Sequence, residues 1–223
     1  MRHDQVTQFL SKQDYTSKEL WEEVKKDVRA IENDDGVLII DDTIQEKPHS
    51  KESALICWHY EHNVNRNVKG INLLNCVYHA SGVSLPVAYE LIKKTIHFCD
   101  IKTKKGKRQS EITKNEQMRD RLKVSRQNQL NWRYCLADSW FYSSKNRQFI
   151  HKKMEKHVMF AMKTNRLVAL SEEDKKQNRY TRIDSLDWSE KPVQGGRSKA
   201  WISPFFFTVK SLQTRMIVQV YFI

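Results

Sequence analysis

The strongest constraint on the fold is a pair of short apolar runs that each end on aspartate. Val37-Leu38-Ile39-Ile40 is continuous and rich in β-branched residues, and Asp41, Asp42 and Thr43 follow it directly. Much further along, Trp132 to Ala137 ends on Asp138. A run of the first kind predicts a strand buried on both faces. Parallel strands joined by a right-handed crossover place their C-terminal ends at one edge of a sheet. If these two strands are neighbours, the carboxylates of Asp42 and Asp138 converge. Converging carboxylates repel unless a cation lies between them, and hard oxygen donors favour Mg²⁺ or Mn²⁺. The alternative, that Asp41 and Asp42 merely open a polar loop, stays open on spacing alone.

The elements between and around these runs predict an α/β fold. Thr16-Ser17-Lys18-Glu19 is a capping box, and Leu20, Val24, Val28 and Ile31 follow at helical spacing. Asn33-Asp34-Asp35-Gly36 ends that helix. Pro48 to Ser53 reads as a loop. Ile71 to His79 and Val83 to Leu91 flank Ala80-Ser81-Gly82 as an antiparallel hairpin. Lys102 to Arg108 reads as a basic loop, and a polar helix is expected from about Glu111 to Asn128. A helix from about Ser144 to Glu155 and a strand from Val158 to Met162 complete a βα unit. The order β, ββ, α, β, α, β describes a mixed sheet flanked by helices.

Charge narrows the partner. Lys and Arg number 39 against 27 Asp and Glu, a formal net charge of +12. A polyanion is the first partner such a chain suggests. No apolar run approaches the ~20 residues of a spanning helix, and the opening residues resemble no secretory signal. The sequence therefore reads as cytoplasmic, with no membrane partner. The thiols of Cys57, Cys76, Cys99 and Cys135 show no paired spacing and read as reduced.

The wording around the two aspartates is specific. Val37 to Thr43, Gln45-Glu46-Lys47, and Tyr134-Cys135-Leu136-Ala137-Asp138-Ser139-Trp140-Phe141 resemble the DDE transposases of bacterial insertion sequences. Lys69 to Leu74 and Met162 to Arg166 are similar to that family's neighbouring sheet segments. The resemblance runs over about residues 3 to 202. It implies an RNase H-like mixed sheet with a short helical N-terminal segment. Asp42 and Asp138 would then be the first two acids of the catalytic triad, with Asp41 the fallback for the first. It also implies two Mg²⁺ or Mn²⁺ ions, DNA as substrate and target, and work as a dimer on paired DNA ends in a bacterial cytoplasm, on the nucleoid. The corresponding division is 1–33 as the remnant of a helical DNA-binding region, 34–202 as an incomplete catalytic core, and 203–223 as an aberrant tail.

One part of the pattern is missing. The family's third acid is a Glu inside a motif similar to Tyr-x-x-Arg-Trp-x-x-Glu, and none occurs in these residues. After Asp138 the carboxylates are Glu155, Glu172, Glu173, Asp174, Asp184, Asp187 and Glu190, none in that context. Reading the bases of Phe207 to Val218 from each codon's third position permits Tyr-Ser-Lys-Lys-Phe-Thr-Asn-Lys-Asp-Asp-Ser-Thr, which resembles the family's continuation. A frameshift near Phe205-Phe206-Phe207 is the expectation, with little or no strand-transfer activity. Glu172, Glu173 or Glu190 as a substitute third acid is the competing expectation.

Other candidates carry less. Cys57, His59, His62, Cys76 and His79 hold zinc-type atoms, but the spacings are not a standard set, and alternation puts Cys76 and His79 on opposite strand faces. Lys104, Lys105, Lys107 and Arg108 precede a helix bearing Lys114, Arg119, Arg121, Lys123 and Arg126. Together they read as a phosphate-tracking face that binds DNA without reading its sequence. Lys163 and Arg166 are expected to hold a DNA strand, unless they pair with Glu172-Glu173-Asp174. Trp58, Trp132 and Trp140 read as core or as base-stacking residues.

Overall fold

The computed structural model describes residues 15–61, 64–163 and 165–186, the isolated helical positions 8 and 11, and the backbone of 217–220. His62, Asp187, Glu190 and most of the 203–223 tail lie outside the described residues. The chain divides into two compact units, Met1–Trp132 and Arg133–Ile223.

The first unit is built on an antiparallel sheet. Its longest strand, β3 (Arg66–Ala80), pairs along one edge with β1 (Val37–Glu46) and along the other with β2 (Cys57–Glu61) and β4 (Val83–Leu91). β1 corrects the sequence reading twice. It is not buried on both faces, because Leu38 and Ile40 are buried while Val37 and Ile39 are only half-buried. Nor does it end before the aspartates. Pairing with β3 carries it through Asp41 and Asp42 to Glu46, so backbone hydrogen bonds override a polar sequence.

The β3–β4 connection is the predicted hairpin. Ser81 (φ 52°) and Gly82 (φ 76°) both take positive φ, as the two-residue turns matching strand twist require. Helix α1 (Ser17–Ile31) starts with the predicted capping box: Thr16 and Glu19 exchange bonds with each other's backbone. Its Trp21 and Val28 are buried, and Ser17 ties it to β4 through Tyr89, whose N–H donates to Ser17 Oγ at 2.7 Å. Helix α2 (Lys114–Gln127) begins three residues later than predicted because Thr113 and Glu116 form a second capping box. Its Met118 and Leu122 are buried.

The predicted basic loop is instead a hairpin of its own, β5 (Ile96–Asp100) and β6 (Lys105–Gln109). Asp100 makes the turn. Its Oδ1 accepts from the N–H groups of Lys102 at 2.9 Å and Thr103 at 3.0 Å, and its carbonyl accepts from Lys104 N at 2.7 Å.

In the second unit β7 (Tyr134–Ala137) and β8 (His157–Met162) run parallel. Helix α3 (Ser144–Gln148) and the π-helical turn Phe149–Lys153 connect them, which makes the predicted βα unit. β11 (Ile217–Val220) pairs antiparallel with β8, so this sheet is mixed. A small ladder of β9 (Leu167–Val168) and β10 (Thr181–Arg182) brackets helix α4 (Glu172–Lys176). Among the described residues no helix is long and apolar enough to cross a membrane.

Gly70 permits the close β1–β3 approach. A Cβ there would stand 2.3 Å from the Gln45 carbonyl oxygen, which is backbone and cannot swing away. Gly70→Ala should cost about 1–3 kcal/mol of stability, as overpacking does. Urea unfolding checks it, and an unchanged midpoint would contradict this packing.

Candidate active site

Asp42 continues the alternation of Leu38 and Ile40, so its side chain lies on the core face of β1, 18% exposed. Two donors meet one oxygen there. Asn72 Nδ2 donates to Asp42 Oδ2 at 3.0 Å, and Lys114 Nζ lies 2.5 Å from the same atom. Both positions follow from the fold. Asp42 stands opposite Leu74, which makes Asn72 its diagonal neighbour on the same face of β3. Lys114 is the first residue of α2, fixed by the Thr113 cap. Asp41 lies on the other face, exposed, and its Oδ1 accepts from Asp42 N at 2.9 Å.

A carboxylate and an amide oxygen are the donor chemistry that Mg²⁺ and Mn²⁺ take. Asn72 is 1% exposed, and its Oδ1 is buried without a hydrogen-bond partner. An orphaned carbonyl-type oxygen beside a half-buried carboxylate fits a hard cation. In this structure the Lys114 ammonium supplies the positive charge at Asp42.

A histidine and two lysines complete the surroundings. His59 on β2 is buried, with Nε2 3.3 Å from Cys57 Sγ. Burial first, then the charges of Lys94 and Lys114, push its imidazole down from 6.5 to about 4, against an upward pull from Asp42. Lys94 donates to the Trp58 carbonyl at 2.6 Å, and burial lowers its own ammonium. Burial raises the Cys57 thiol.

In the second unit Asp138 directly follows β7. Its Oδ1 accepts from Trp140 N at 2.9 Å, an Asx turn that fixes the carboxylate at the strand end. Trp140 is 48% exposed and Trp132, by contrast, is core at 1%. Lys163 and Arg166 are exposed just after β8. The acidic run does not take them as partners, since Glu172 pairs with Lys175 and Asp174 with Arg179.

Of the predicted phosphate-tracking face, Lys114, Arg119, Arg121, Lys123 and Arg126 lie on α2, where Lys114, Arg121 and Lys123 pair with Asp42, Glu90 and Asp120, and the other four residues lie on the β5–β6 hairpin. Lys104 is in the turn and Lys105 opens β6. Lys107 pairs with Asp100, and Arg108 pairs with Glu52 at 2.9 Å, so those two charges are partly spent at home. Of the zinc-type residues, Cys76 is buried while His79 faces the other way and bonds Ser84. Among the described residues no three His, Cys, Asp or Glu side chains gather to hold a metal ion.

Sequence reasoning missed Asn72, and it read Lys114 only as a surface cation. The signal for Asn72 was present: it is the polar residue on a face otherwise made of Leu74, Cys76, Tyr78 and Ala80. For Lys114 no local signal exists, because its contact with Asp42 spans 72 residues.

Antiparallel strands with an aspartate on their core face, a capped helix, and a parallel βα unit opening on a second aspartate are the parts of an RNase H-like α/β nuclease fold. The chain matches the family model described as DDE superfamily endonuclease over residues 1–185, and it belongs to that family. Comparison with curated proteins and with solved structures finds no match. DDE endonucleases act on DNA and generally use divalent metals.

His59 gives a pH signature. Its imidazole ionises near 6.5 in the unfolded chain and near 4 in the folded one. Between those values only the unfolded state takes up the proton, so stability should fall as pH drops from 6.5 toward 4. An NMR titration of the imidazole checks the lower value, and a midpoint near 6.5 would contradict its burial.

Proposed function

We propose that this chain is the core of an insertion-sequence transposase, a metal-dependent enzyme that cleaves DNA strands and joins a 3′-hydroxyl to a target strand. The family match over residues 1–185 carries the reading. Asp42 and Asp138 are the first two acids, and Asp41 is set aside because it is exposed on the opposite face of β1 from Asp42. Two Mg²⁺ or Mn²⁺ ions, when bound, activate the attacking oxygen and stabilise the leaving one. The chain's own residues do the rest. Asp42 in the first unit and Asp138 in the second would each offer a carboxylate to a metal ion, Asn72 orients Asp42, and Lys163 and Arg166 would grip a DNA strand through its phosphates.

Strand transfer by this chain is weak or absent, because no Glu in these residues stands in the third-acid context. A lost metal ligand forfeits several kcal/mol of transition-state stabilisation, on the order of a thousandfold in rate. Of the substitute acids, Glu172 is engaged by Lys175 on the exposed α4 helix. A second reading, a non-enzymatic DNA-binding protein that interferes with an intact relative by occupying DNA or pairing with it, is favoured by the net charge of +12 and by the Lys114 ammonium on Asp42.

A supercoiled-plasmid nicking assay with Mn²⁺ separates the two. The enzymatic reading predicts slow nicking that Asp42→Ala and Asp138→Ala each abolish. Salt-sensitive DNA binding with no nicking would leave only the second reading. Nicking that survives both substitutions would remove the site assignment.

A further inference from the structure

We propose that the β5–β6 hairpin is a wedge for duplex DNA, with Ile101 entering a base step while Lys102, Lys104 and Lys105 hold the flanking phosphates. The inference rests on the reading that the chain binds DNA and adds to it a site that deforms the duplex. Ile101 stands at the hairpin tip and is 91% exposed, an unusual setting for a β-branched apolar side chain. Behind it on β5, Ile96 and Phe98 are 44% and 41% exposed. Both alternate onto one face with Lys105 and Lys107, and Lys107 is the cross-strand partner of Phe98.

The cations divide into two sets. Lys107 and Arg108 are paired with Asp100 and Glu52, and these bonds serve the hairpin itself. Lys102, Lys104 and Lys105 are exposed and, among the described residues, take part in no ion pair, so the charge left for a ligand gathers around Ile101. The tip is also shaped in advance. Asp100 accepts the turn's amides, Lys104 holds a positive φ of 51°, and the Lys107 bond and those amides hold the Asp100 carboxyl down at about 2. The base is tied as well: Arg108 meets Glu52, and Ser110 Oγ donates to the Lys93 carbonyl at 2.6 Å.

A two-stranded ribbon fits a DNA groove, and proteins that kink DNA insert aliphatic side chains such as Ile between base steps. A single tip residue buries too little area to anchor on a membrane, where affinity scales with buried apolar surface. A free base would instead stack on an aromatic ring, and the tip carries none.

The test uses the full chain in EDTA, so that cleavage plays no part, with short duplexes carrying 2-aminopurine at successive steps. Binding should raise the fluorescence of the probe at the wedged step. Ile101→Ala, an exposed substitution that leaves the fold intact, should bind within a few-fold of the parent but lose that rise. Replacing Lys102, Lys104 and Lys105 by Ala should weaken binding and flatten the salt dependence by about 0.9 in log–log slope per lysine. A rise that persists in Ile101→Ala, or parent binding without a rise, overturns the wedge and leaves the DNA-binding reading standing. Failure to bind any duplex overturns both. Ile101-dependent sedimentation with phosphatidylserine vesicles, without a duplex signal, also overturns the wedge.

Discussion

The unbroken antiparallel register between β1 and β3 is the constraint on which the first unit depends. It places Leu38, Ile40 and Asp42 on one face and sets Tyr78, Cys76 and Leu74 across from them, with Asn72 diagonal to Asp42. That face is core for most of its length and turns polar only at Asp42 and Asn72. A carboxylate in such a position needs compensation, since burying an unpaired charge is expensive. Asn72 and Lys114 provide it from one flank and from the start of α2. Gly70 keeps the two backbones close enough for the register to run to the end of β1.

The electrostatics around Asp42 follow from the same geometry. Lys114 pairs with the Asp42 carboxylate, and the charges of Lys94 and Lys114 both act on neutral His59, which brings two cations near one half-buried carboxylate. This suits a site that receives phosphate oxygens. It also means that a divalent ion reaching Asp42 must share the carboxylate with an ammonium or displace it. On the proposed function, Lys114 would set the strength of metal binding without being a ligand.

Much of the fold was legible because its signals are local. The Thr16 capping box, the turn at Ser81-Gly82, and the apolar strands ending at Ala80 and Ala137 can each be read within a few residues. Three features were not. The second half of β1 is polar and is a strand only because β3 lies beside it. β2, with Trp58 and Tyr60 exposed, alternates too briefly to stand out. The β5–β6 hairpin has the composition of a loop, and a single aspartate organises its turn. At the site, Asp42 and Asp138 were proposed from short-range features, the residues around two apolar runs that resemble a known family. The partners of Asp42 could not be read that way, because Asn72 and Lys114 reach it across 30 and 72 residues.

The most direct test of this account is Mn²⁺ affinity, followed by electron paramagnetic resonance of the free ion, in the parent chain, in Lys114→Met and in Asp42→Ala. If Asp42 is a metal-holding acid and Lys114 its competing cation, Lys114→Met should bind Mn²⁺ tighter, by roughly tenfold for each 1.4 kcal/mol of repulsion removed, and Asp42→Ala should lose the site. Unchanged affinity in both variants would contradict the account.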